Sequence, residues 1–144
     1  VGSELAEAVL ALARGSRVVE HGLGDMSLPQ FRVLALIERS PARASALAER
    51  AAVSRPSLTG VLDGLEGRGW VRRVEVSGDR RGVSLEVTKE GRAALRSAER
   101  AVGEHLAELL DGLPADERAA AVAGLEALGR AISLRAAARV AAER

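Results

Sequence analysis

The 144-residue chain has no cysteine and no tyrosine, and its aromatic side chains are limited to Phe31 and Trp70. Without cysteine it can build neither a disulfide framework, nor a thiolate zinc cluster, nor a thiol redox switch, and a reducing cytoplasm is its simplest home. With so little aromatic bulk, the core must be assembled from Leu, Val, Ile and Ala, which favours closely packed helices. No apolar run nears the roughly 20 residues that cross a bilayer, and no basic stretch precedes the first apolar segment. The sequence therefore reads as soluble, untargeted and cytoplasmic, with no membrane partner. Enzyme signatures are missing too: there is no H-E-x-x-H, no P-loop, no G-x-S-x-G and no carboxylate pair with a reason to share a cleft. Neither catalysis nor a cofactor is expected. His21 and His105 are too few for zinc, which takes three or four ligands, so no metal site is expected and both read as exposed or interfacial imidazoles.

What the chain does have is an uneven charge. The net value is +1, yet between Arg39 and Arg81 nine arginines face five acids, a balance of +4, against −3 for the remainder. That asymmetry suggests a polyanion facing one part of the fold.

Hydrophobic spacing lays out the elements. Leu5, Val9, Leu12 and Val19 mark a first helix over about 3–20, stopped by Gly22 and Gly24. Ser27-Leu28-Pro29-Gln30 reads as a capping box opening a second helix, with Phe31, Leu34, Ala35 and Ile37 inward and an end before Pro41. A short helix over 45–52 follows, Val53 closes a tight turn, and Ser54 caps a helix with Pro56 in its first turn. In that helix Leu58, Val61, Leu62 and Leu65 form one apolar stripe, opposite Pro56, Thr59, Gly60 and Asp63. Residues 70–76 read as a strand paired with a second strand over 83–87, where Val83, Leu85 and Val87 point inward. Thr88 can cap a long helix to about Asp111, with Leu95, Ala98, Val102, Leu106 and Leu109 inward, and Pro114 opens a last helix in which Val122, Leu125, Leu128, Ile132 and Val140 recur.

The expected fold is mainly α with a small β-hairpin, in the order helix, turn, helix, hairpin, which is a winged helix-turn-helix. A helix of about 10 to 12 Å diameter fits a major groove of about 12 Å, and an extended hairpin is thin enough for an adjacent minor groove. The hairpin tip, SGDRRG, bends at Gly78 and Gly82 and offers Arg80 and Arg81 to the negative potential of a narrow minor groove. Asp79 would repel phosphate unless paired, and a bond to Arg81 would stabilise the wing by fixing the guanidinium's direction.

Residues 27–91, from SLPQFRVLALIE through ALAERAAVSRPSLTGVLDGLEGRGWVRR to SGDRRGVSLEVTKEG, resemble the MarR family of bacterial transcriptional regulators. The resemblance rests on the LPQF-type helix start, the L-x-G-x-G-W/L-V-x-R passage and the D-x-R…L-x-V-T-x-x-G wing, in that order. It implies a dimerisation helix over 1–26, a winged helix-turn-helix DNA-binding domain over 27–91 and dimerisation helices over 92–144, assembled as a homodimer. It also implies that Ser54, Arg55, Ser57 and Thr59 touch bases or phosphates, that Arg72 and Arg73 lie near the backbone, and that Asp79 and Arg81 form the wing pair beside Arg80. The partners so implied are double-stranded DNA, a second copy of the chain and a small-molecule effector such as an aromatic acid, its binding residues unknown. Gly60 and Gly64 depart from the family pattern, where larger and often basic residues stand, and Ala52 occupies a turn position often held by glycine. The competing readings are a winged-helix protein-interaction module and a small-molecule-binding protein without an operator.

Overall fold

Local signals decide where the elements begin. In the computed structural model, which describes residues 2–41, 43–51, 54–76 and 82–142, helix α1 spans Gly2–Gly22 and α2 spans Leu28–Arg39. Between them the chain turns at Gly24, whose φ of +60 lies in the left-handed region that glycine enters without strain. The capping box forms as expected: the Ser27 N–H donates to Gln30 Oε1 at 3.0 Å, and the Gln30 N–H donates to Ser27 Oγ at 3.2 Å. Two of the first turn's orphan donors are thereby satisfied reciprocally.

Helices α3, Ala44–Ala51, and α4, Arg55–Gly67, are followed by strands β1, Val71–Glu75, and β2, Val83–Val87. Helices α5, Lys89–Leu110, and α6, Ala115–Ala142, complete the chain. The strands pair antiparallel in a register running from Val71 opposite Val87 to Glu75 opposite Val83. Gly69, at φ +70, makes the sharp exit from α4 into β1. The Thr88 hydroxyl then ties this turn to α5, donating to the Gly69 carbonyl at 2.6 Å and accepting from the Gly91 N–H at 3.0 Å.

The chain divides into two compact units, Val1–Leu106 and Ala107–Arg144. The buried core belongs to the first: Leu34, Ile37, Leu47, Leu65 and Leu85 from α2, α3, α4 and β2 are among its most enclosed side chains. On α2, Val33 is buried in addition to Leu34 and Ile37, while Phe31 and Ala35 pack half-buried against the cluster. Alternation along β2 holds for Leu85 and Val87 but not for Val83, which is 41% exposed. Val83 sits at the tip end of the ladder, away from the helices that enclose the other two.

Further along, Leu95 and Ala98 are buried and Val102 packs on the cluster, but Leu109 is exposed. Leu5, Val9 and Leu12 of α1 and Val122, Leu125, Leu128 and Ile132 of α6 are also exposed. Their spacing marks apolar faces that this single chain leaves uncovered. No buried core residue follows Ala98 among the described residues.

Candidate nucleic-acid interface

Helix α4 is anchored by one side and open on the other. Leu58, Leu62 and Leu65 are buried, and Val61 is half-buried against them. The opposite stripe of Pro56, Thr59, Gly60 and Asp63 is exposed. Ser54 caps the helix: its Oγ accepts from the Ser57 N–H at 3.3 Å and lies 2.8 Å from the Ser57 hydroxyl. Ser54, Ser57 and Thr59 are thus brought together at the exposed start of α4, a helix end whose dipole and N–H groups suit an anion. Arg55 opens the helix, and its side chain lies outside the described part. Asp79, Arg80 and Arg81, at the hairpin tip over 77–81, lie outside the described residues, as do Ala52 and Val53 of the turn.

The two arginines of β1 have carboxylate partners. Arg72 pairs with Glu86 across the hairpin at 3.1 Å. Arg73 grips Glu66 of α4 with two hydrogen bonds of 2.8 and 3.1 Å, a fork geometry that arginine alone provides. The bonds and charge of Glu66, with a smaller contribution from Asp63, hold the Arg73 guanidinium above its ordinary pKa. Both arginines remain largely exposed, and each shares its charge with an acid.

Other contacts leave no local trace in the sequence. Arg68 lies 4.7 Å over the Trp70 ring and donates to the Asp25 carbonyl at 3.0 Å. Arg32 donates to the Ala51 carbonyl at 3.0 Å, tying α2 to the end of α3. His21 and His105 stack nearly parallel with centroids 6.3 Å apart. Beside Arg68 and Trp70 is a cavity of about 270 Å³, lined also by Leu23, Met26, Ala98 and Ala101. Among the described residues no three metal-ligating side chains converge, and no helix is long and apolar enough to cross a membrane.

Gly60 and Gly64 of α4 have different surroundings. A Cβ at Gly64 would meet the Nε2 atom of Gln30 at 2.8 Å, whereas one at Gly60 would meet nothing within 4 Å. Each weakens the helix by about 1 kcal/mol relative to alanine.

The sequence model of the MarR family matches residues 24–82, which take in α2, α3, α4 and β1. An uncharacterised HTH-type transcriptional regulator of Bacillus subtilis, YfiV, is 34% identical over 109 residues, covering 75% of this chain and 68% of its own length. The chain belongs to the MarR family. Two solved MarR-family structures share its architecture. Wild-type MarR from E. coli in its apo form superposes with a TM-score of 0.72 at 30% identity, over 88% of this chain and 94% of that one. A MarR family protein of Mycobacterium tuberculosis in complex with salicylic acid gives 0.67 at 30% identity, over 82% of this chain and 93% of that one. Like other members of the MarR family, the chain is a winged-helix DNA-binding transcriptional regulator, a class whose members are not enzymes.

Proposed function

We propose that this MarR-family regulator is a ligand-responsive repressor that binds a pseudo-palindromic operator as a homodimer. The observation that carries the reading is the two-sidedness of α4: its leucines are locked into the core while Pro56, Thr59, Gly60 and Asp63 stay exposed. A helix so mounted enters a major groove without giving up its own packing. Ser54, Arg55, Ser57 and Thr59 are its base and phosphate contacts, Arg72 and Arg73 lie near the backbone, and the tip arginines Arg80 and Arg81, with Asp79 bracing them, reach the minor groove. Arginine contacts to phosphate supply most of the affinity, and the start of α4 supplies the sequence choice.

The uncovered apolar faces of α1 and α6 support the dimer. Two copies then present two copies of α4 to half-sites about one helical turn, roughly 34 Å, apart. Occupation of the duplex by such a dimer blocks transcription sterically. The cavity beside Arg68 and Trp70 supports an effector: a guanidinium over an aromatic ring suits a small aromatic acid, the class that the salicylic acid complex of the mycobacterial relative exemplifies. Binding there selects a lobe spacing that no longer matches successive grooves.

Selection of bound sequences from a random duplex pool tests this reading. The expected product is a two-fold symmetric site, with affinity falling steeply as salt rises, a salt slope reduced by about one in Arg81→Ala, and weaker binding when salicylate is added. No enrichment at low salt would favour a protein-interaction module.

A further inference from the structure

Gly60 and Gly64 stand one helical turn apart on α4, and their surroundings separate them. Contact with Gln30, at the start of α2, accounts for the bare backbone at Gly64. Nothing inside the chain accounts for it at Gly60. A Cβ there meets no atom within 4 Å, the residue is not among those with positive φ, and alanine is the better helix former at such a position. The fold gains nothing from Gly60, so the need for a missing side chain lies outside the molecule. Gly2, Gly15, Gly103, Gly124 and Gly129 also have open surroundings, but they belong to α1, α5 and α6, the helices assigned above to the dimer contact, and Gly67, equally open, is the last residue of α4, where the chain leaves the helix. Gly60 lies instead on the stripe assigned to the groove.

The chemistry of that stripe narrows what it reads. Guanine is read in the major groove by Arg or Lys and adenine by Asn or Gln, and none of these occupies Pro56, Thr59, Gly60 or Asp63. Pro56 and the Thr59 methyl suit the thymine methyl group, while the Asp63 carboxylate accepts from the exocyclic amine of cytosine. Side chains this short reach base edges only when the helix axis sits close to them. Gly60, in their midst, is where the backbone itself meets the bases.

We propose that Gly60 is a specificity-determining residue: its missing Cβ lets α4 seat deeply on a thymine- and cytosine-bearing face of the operator, read by Pro56, Thr59 and Asp63. The inference rests on the operator reading above. The test measures melting temperature and affinity for the selected operator in the wild type, Gly60→Ala and Asp63→Asn. Gly60→Ala is expected to raise the melting temperature by roughly 4 °C and to weaken operator binding about tenfold. A merely structural glycine would not move the two in those opposing directions. Asp63→Asn is expected to shift one selected position from cytosine toward adenine. A Gly60→Ala protein that binds the operator as tightly as wild type overturns the proposal alone, as does an Asp63→Asn selection identical to wild type. A wild-type protein that enriches no sequence overturns the operator reading and this inference with it.

Discussion

Arg73 shows how far a cation's surroundings can change what it offers a polyanion. Its fork onto Glu66 makes a neutral pair, and exposed pairs of this kind contribute at most about 1 kcal/mol to stability. On the proposed operator reading the acid is expected to matter more to binding than to folding. Glu66→Gln is expected to leave the melting temperature nearly unchanged and to steepen the salt dependence of DNA affinity by about one contact, read from a titration of log affinity against log salt. An unchanged slope would place Arg73 away from the backbone. Because the Arg73 pKa is raised, the stability linked to its charge is complete at neutral pH and is lost in strong base, as Arg73 gives up its proton.

Among the elements, α4 and the turn leading to α5 carry distinct burdens. Ser54→Ala removes the acceptor for the Ser57 N–H, with an expected loss of about 1 kcal/mol seen as a lower melting temperature. Gly91→Ala is expected to be worse, about 3 kcal/mol by urea denaturation, because its new methyl group would collide with the Trp70 carbonyl oxygen. These two positions also mark what the sequence could reveal. A cap joins residues three apart, so Ser27 with Gln30 and Ser54 with Ser57 were legible as motifs. So was the face of α4, because helical periodicity sorts Leu58, Leu62 and Leu65 from Thr59 and Asp63. Arg68 reaching Asp25, 43 residues away, and Arg32 reaching Ala51, 19 away, depend on how helices pack, and no local pattern encodes that. Val83 obeyed the strand alternation yet lies exposed, because period alone does not tell how far the helices extend along the hairpin.

At the scale of the whole molecule, the second compact unit and the outer stretch of α1 contribute no buried core residue among the described residues. Ile132, 62% exposed, and Leu125, 49% exposed, lie on α6. Replacing either by Asp is expected to convert a dimer into a monomer in sedimentation experiments and to abolish tight operator binding while leaving Val1–Leu106 folded. A dimer that survives both changes would place the contact elsewhere. In the proposed dimer, helices that borrow another chain's surface to dry their leucines would tie the folding of the C-terminal third to abundance. Below the association threshold a cell would hold competent reading heads on frayed supports, so regulation by this protein should switch on with dose rather than rise in proportion to it.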